Sequence, residues 1–240
     1  MSKQVRTTVV MVCACAMLAG TAGVASAQQT LNLTFGGFAV RGEDARVQGD
    51  WLNENRTYLT FDIKDFNGPT VGAEWLVPLG QFVEAGAGVS VSRRTVPSVY
   101  TDFVDIDGSE IEQDLRLRIV PVAFTLRVLP FGQSSPVQPY FGAGVGLFSW
   151  RYSEAGEFID FSRGNTTFRE QYVASGTETG PIAMGGIRFA SDAFSAGGEV
   201  RYQSATGELG PVFETDTLPD PKIDLGGWSY LFTVGIRFGR

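Results

Sequence analysis

Apolar residues in this chain recur at every second position in one segment after another, and that alternation is what most restricts its fold. Over 228–238, Trp228, Tyr230, Phe232, Val234, Ile236 and Phe238 share one face, while Ser229, Leu231, Thr233, Gly235 and Arg237 share the other. Extended backbone sends successive side chains to opposite sides, so each such segment predicts a strand with one apolar face. The pattern returns in Val71-Ala73-Trp75-Val77, Val83-Ala85-Ala87-Val89-Val91, Phe141-Ala143-Val145-Leu147 and Phe194-Ala196-Gly198-Val200-Tyr202. Weaker strand signals cover 31–40 and 180–189. Past the first two dozen residues no stretch approaches the ~18 consecutive apolar residues of a membrane-spanning helix.

One segment changes phase. Leu115, Leu117 and Ile119 share a face, but Val122, Phe124, Leu126 and Val128 have the opposite parity. A β-bulge at Val120-Pro121 would return both sets to one side, and proline is tolerated where the ladder is broken. With this segment the expected strands number eight. Ten remain open, because 57–66 has the length of a further hairpin. Short connections (78–81, 129–137 and 190–193) alternate with long ones (41–67, 95–113, 153–178 and 204–223), as in an up-and-down meander whose two ends face different surroundings.

The second face decides between two closed barrels. A soluble calyx that binds an apolar ligand keeps its apolar face inside, whereas a transmembrane barrel turns it to lipid around a polar lumen. Here the second face is Gly, Ser and Thr with Glu74, Glu84, Arg116, Arg118, Arg127, Arg188, Glu199, Arg201 and Arg237. Glycine-rich strands suit the cramped interior of eight staves, where opposed Glu and Arg can pair. The expected fold is an all-β, eight-stranded antiparallel up-and-down transmembrane β-barrel, with those nine residues as a lumen charge network. Trp75, Tyr140, Trp150, Tyr152, Tyr202, Trp228 and Tyr230 near strand ends are expected to form interfacial girdles. The soluble periplasmic calyx is the alternative.

The first residues carry an address. Lys3 and Arg6 precede an apolar stretch that ends in Ala25-Ser26-Ala27, the small-x-small pattern of a signal-peptidase site. This predicts a cleaved leader over 1–27 and a barrel domain over 28–240, exported through the secretory pathway to a cell outer membrane. Cys15 faintly resembles a lipoprotein acceptor, but the apolar stretch before it is short. Both cysteines, Cys13 and Cys15, fall in the leader, so the remainder has neither disulfide nor thiol chemistry. Losing Lys3 and Arg6 takes the 19 basic residues to 17 against 26 acidic ones, a net charge of −9.

Pro139-Tyr140-Phe141-Gly142-Ala143-Gly144-Val145-Gly146, followed by Trp150-Arg151-Tyr152, resembles a strand of small bacterial outer-membrane proteins: the OmpA-like, OmpW-like and opacity-type barrels. Glu84-Ala85-Gly86-Ala87-Gly88-Val89 is similar to an earlier strand of that group. Tyr230, Phe232, Val234, Ile236 and Phe238 resemble its C-terminal assembly signal, with Gly239-Arg240 following where family members commonly end on the aromatic residue. The resemblance implies contact with the barrel-insertion machinery, with outer-membrane lipid and with lipopolysaccharide. Periplasmic termini and long loops at the cell surface are expected with it, and since the strands and loops leave no space for an appended peptidoglycan-binding domain, a barrel alone is expected. The role it implies is envelope structure, surface interaction or narrow, porin-like passage of small hydrophobic solutes.

Composition excludes several chemistries. With no histidine in 240 residues, a Ser-His-Asp triad and a His-bearing zinc site are impossible. Barrel enzymes that act on lipid or as surface proteases depend on histidine, so no catalytic residue and no cofactor is expected. The acidic balance is the wrong sign for nucleic acid. Asp102, Asp105, Asp107, Glu110, Glu112 and Asp114 form an acidic run, but Phe103 stands at the first ligand position of an EF-hand-like reading. A solvated hairpin with Asp107-Gly108 at its tip is expected there, and no metal site. Acids beside aromatics at 62–66 and 157–161 mark two large loops, which either bind a partner or pack on each other.

Overall fold

The structure, a computed structural model, describes residues 28–160 and 163–239. The predicted leader lies outside the described residues. Eight long strands form the wall: β1 (Gln29–Val40), β2 (Gly68–Pro78), β3 (Val83–Val104), β4 (Glu110–Val128), β5 (Val137–Asp160), β6 (Thr166–Ala190), β7 (Phe194–Gln203) and β8 (Gly227–Phe238). Each pairs antiparallel with its sequence neighbour, and β1 pairs with β8 from Gln29 opposite Phe238 to Val40 opposite Gly227. That last pairing closes the sheet, so no edge is left to aggregate or to lose hydrogen bonds in lipid.

Tight turns join the wall at the end that carries both termini. Leu79 N donates to Val83 O at 2.8 Å, and Ser191 N donates to Phe194 O at 2.8 Å. At the opposite end the wall is taller. β3–β6 run on as two hairpins, so 95–113 and 153–178, expected as loops, are largely strand. The hairpin between β3 and β4 turns at Asp107-Gly108, where Gly108 has φ +85°. The segment 57–66 adds only the two-residue strand Leu59–Thr60, paired to Val99 and Tyr100 of β3. The closed wall therefore has eight strands.

The faces are sorted by solvent. Outward-facing Phe232 is 65% exposed and Val234 50%, whereas inward-facing Arg127 is 1% exposed and Glu84 2%. A calyx has the reverse arrangement, so the calyx reading is corrected. On β8 the outward row from Trp228 to Phe238 spans ten residue-to-residue steps. At ~3.3 Å per residue and a tilt of ~40° that is about 25 Å along the axis, the height of a lipid-facing band.

The phase change in β4 is not a bulge. Val89 pairs with Val122 and Ser92 with Ile119, so the register runs unbroken past Pro121, which pairs with Phe148 on its other side. What changes is the environment. Up to Val122 the apolar side chains point outward to lipid. Above it, Leu115, Leu117 and Ile119 point inward to a buried core, and Arg116 and Arg118 point outward. The inversion marks the height at which the wall leaves the apolar band.

Candidate functional site

The lumen at the level of the apolar band is filled by charge. Three carboxylates and three guanidiniums, all buried, come from five staves: Glu74 of β2, Glu84 of β3, Arg127 of β4, Arg188 of β6, and Glu199 and Arg201 of β7. Arg127 is the hub. It pairs with Glu74, lies 3.0 Å from Glu199 Oε2 and 3.9 Å from Glu84 Oε1, and its guanidinium sits 4.8 Å from the centroid of the Tyr140 ring. Arg188 grips Glu84 with two nitrogens at 3.2 and 3.0 Å and donates through Nε to Gln138 Oε1 at 2.8 Å. Arg201 Nη2 pairs with Glu199 Oε1 at 2.7 Å and with Glu74 Oε1 at 3.5 Å, while the Tyr140 hydroxyl donates to Glu199 Oε2 at 2.9 Å. Equal numbers of each charge, each bonded to the other, are what burial of six ionised groups requires.

Glycine makes room for the long side chains. A Cβ at Gly186 would stand 2.7 Å from Tyr140 Cζ, and one at Gly86 would stand 2.5 Å from Thr125 Oγ1. At these two glycines the space a side chain would occupy is taken by the neighbouring Tyr140 and Thr125 side chains.

Two of the nine expected lumen residues are elsewhere. Arg116 and Arg118 point outward, because they lie above the height at which the faces exchange polarity. Arg237 faces inward at the termini end, where its Nη1 donates to Ser191 O at 2.6 Å. Tyr140, Trp150 and Tyr152, expected in the girdles, are buried inside the wall. Trp75, Trp228 and Tyr230 are exposed on the outer surface, as are the alternating residues from Tyr230 to Phe238.

Above the ion pairs the interior is closed a second time by the loops. The helix α1 (Trp51–Asn55) is capped by Asp50, whose side chain accepts from Asn53 N, and it delivers Trp51 and Leu52 into the barrel mouth. There Trp51 meets Phe213 edge-on at 5.4 Å, and Phe213 also packs on Tyr152 and Tyr172. Ile223 and Leu225 from the last loop complete this core. Arg46 clamps Asp50 through two nitrogens at 2.5 and 2.9 Å, and Arg41 Nη1 pairs with Asp224 Oδ2 at 3.0 Å. A loop pair is thereby tied together across more than 170 residues of sequence. Sequence reasoning missed this cap, since nothing local in the loops says which distant segment they will cover.

A cavity of about 400 Å³ opens beside the cap, lined by Trp51, Tyr58, Tyr100, Phe158, Tyr172 and Phe213. Glu154 is buried at its floor. Its Oε1 accepts from Trp51 Nε1 at 2.6 Å, Asn55 Nδ2 at 2.5 Å and the Tyr152 hydroxyl at 2.8 Å. Glu154 stands beyond the outward-facing Arg151, outside the apolar band. Burial pushes its carboxyl above the ordinary carboxylate range, against the three donors. Among the described residues no group of three or more acidic, Cys or His side chains is arranged to hold a metal ion.

A closed antiparallel wall of eight strands, apolar outside and ion-paired inside, defines a small transmembrane β-barrel. Solved structures of that class are what the chain resembles. Outer membrane protein OprG of Pseudomonas aeruginosa superposes with a TM-score of 0.52 at 13% identity, over 90% of this chain and 97% of that one. Ail, the attachment invasion locus protein of Yersinia pestis, solved with the heparin analogue sucrose octasulfate, gives 0.43 at 11% identity over 89% and 99%. Outer membrane protein W of E. coli gives 0.40 at 14% over 90% and 100%. The OprG superposition carries the likeness, and it is a likeness of fold. No family model matches the sequence, and no curated protein matches it.

Proposed function

We propose that this chain is an integral outer-membrane barrel whose lumen is sealed, and that it serves the envelope as a non-enzymatic structural and surface-presenting protein. The observation that carries this is the hub at Arg127, whose guanidinium pairs with Glu74 and Glu199 and lies within 4 Å of Glu84, closing the bore from three staves. A solute crossing here would have to separate buried ion pairs, and breaking one costs about 3–5 kcal/mol. Passage of small hydrophobic solutes through the bore is disfavoured by the same observation.

In this reading 1–27 is removed on export, the termini face the periplasm, and the capped end faces outward. The alternating face of Tyr230, Phe232, Val234, Ile236 and Phe238 serves as the assembly signal for the insertion machinery. Tight turns at one end and tall hairpins at the other support that orientation.

The test joins two measurements on protein from the membrane fraction. Boiling in detergent should shift its gel mobility, as a closed barrel unfolds only on heating. In a planar bilayer the same protein should give no stepwise conductance. Regular conductance steps would overturn the sealed lumen, and protein in the soluble periplasmic fraction without a mobility shift would overturn the membrane reading itself.

A further inference from the structure

Outside the barrel, Arg93 of β3, Arg118 of β4 and Arg151 of β5 are direct cross-strand neighbours, with Arg93 opposite Arg118 and Arg118 opposite Arg151. All three side chains are exposed, and Arg116 joins them two residues further up β4. The four line a depression of about 160 Å³ with Ser153 and Gln171. Among the described residues none of the four pairs with a carboxylate, and Arg116 Nε donates only to Thr95 Oγ1, at 3.1 Å. Asp114 and Glu112 lie farther up β4 and line a different depression, with Arg169. Like charges placed directly opposite one another destabilise a sheet. In a chain with an excess of acid, this rung gathers four guanidiniums that pair with no carboxylate among the described residues.

Its height says where the anion comes from. Val91, two residues below Arg93, already belongs to the exposed apolar face, so the rung starts about 7 Å along the strand above lipid contact. Headgroups occupy roughly 5–8 Å on each side of the hydrocarbon. Six residues below the rung on the same three staves, the rung of Ala87, Phe124 and Val145 lies in an apolar groove of about 480 Å³. Trp75, Ala85 and Ala143 also border that groove, where the small alanines leave the wall concave. Arginine at the upper rung and an apolar groove below present the two chemistries of one amphiphile.

We propose that β3–β5 hold a phosphorylated lipid of the outer leaflet, with its headgroup phosphates on Arg93, Arg118, Arg151 and Arg116 and its acyl chains along the Ala87–Phe124–Val145 groove. The inference rests on the membrane reading above. Guanidinium forks match phosphate oxygens two at a time, which is why arginine and not lysine suits such a rung.

The test uses the full barrel in phosphatidylcholine nanodiscs containing lipopolysaccharide, either intact or with its phosphates removed enzymatically. Bound glycolipid per barrel is counted by mass spectrometry after size exclusion. The unaltered protein should retain the intact form, and the Arg93→Gln/Arg118→Gln/Arg151→Gln variant should retain it at least roughly tenfold less well. The single variant Arg118→Gln should fall between them. Ala87→Trp, which fills the groove, should weaken retention with the arginines in place. Equal retention by the triple variant, or equal retention of the dephosphorylated lipid, would overturn the proposal. Full displacement by millimolar inorganic phosphate would reassign the rung to free phosphate and overturn the lipid. Heat-dependent gel mobility on the same samples separates the two levels. Loss of retention with the mobility shift intact supports the site, whereas unaltered protein that lacks the shift brings down the membrane reading and the site with it.

Discussion

Arg188 and Glu84, 104 residues apart, meet across the lumen as a two-pronged ion pair, with nitrogens at 3.2 and 3.0 Å from the two carboxylate oxygens. Both are buried, so neither charge has water to fall back on. Arg188→Met should cost about 3–5 kcal/mol, because it leaves Glu84 with Arg127 alone, at 3.9 Å. The double variant Glu84→Gln/Arg188→Met should recover most of that loss, since it removes both charges together. Urea unfolding in lipid vesicles measures both. A double variant no better than Arg188→Met would show that the pair itself, and not the orphaned charge, carries the stability.

The glycines of the lumen wall give a second prediction. Gly186→Ala places a methyl 2.7 Å from the Tyr140 ring and 2.4 Å from Gly198 O, so Tyr140 must move off Glu199. Overpacking of this kind costs about 1–3 kcal/mol. At Gly37, which faces lipid and where an added Cβ meets nothing within 4 Å, alanine should be tolerated. The midpoint of the heat-dependent mobility shift should fall for the first variant and hold for the second.

Much of the wall was legible in the sequence, because alternation states which residues share a face. Alternation does not say what each face meets at a given height. The change of phase between Ile119 and Val122 therefore read as a bulge at Val120-Pro121, when the strand is regular and the solvent changes. The same gap sent Arg116 and Arg118 into the lumen and Trp150 and Tyr152 into the girdle. Above the apolar band the rule reverses, with arginine outside and aromatics inside. The cap was illegible for a different reason. Trp51, Phe213 and Ile223 come together only once the wall has brought their loops to one mouth. Compact spacing near each residue carries no trace of that meeting.

The lipid-facing row of β8 makes a third prediction. Val234 is half exposed on the outer surface, level with Leu33 of β1 and Ala196 of β7. Val234→Lys should cost about 2–4 kcal/mol near the middle of the band and abolish membrane assembly. Thr233→Val, one position along and facing inward, should assemble normally. Fractionation of cells after carbonate extraction reads both. Normal assembly of the lysine variant would mean that this row does not meet hydrocarbon.

A pH dependence of the cap is expected at Glu154. Its carboxyl lies outside the apolar band, and burial raises it above the range in which an unfolded glutamate titrates. Between those two values the folded cap binds a proton that the open cap does not, so closure weakens as pH rises through the window. Below the ordinary carboxylate range the penalty is absent, and above the folded value it is felt in full. Trp51 reports the change directly, because its Nε1 donates to Glu154 Oε1 at 2.6 Å. The indole N–H resonance of Trp51 should shift with a midpoint above the ordinary value for glutamate, and loop proteolysis should quicken over the same interval. Glu154→Gln keeps an oxygen acceptor for the three donors and removes the charge. In that variant the titration should vanish and the cap should close at least as firmly near neutral pH. A resonance that moves in the variant as it does in the unaltered protein would assign the titration to another group and remove Glu154 as the source of the coupling.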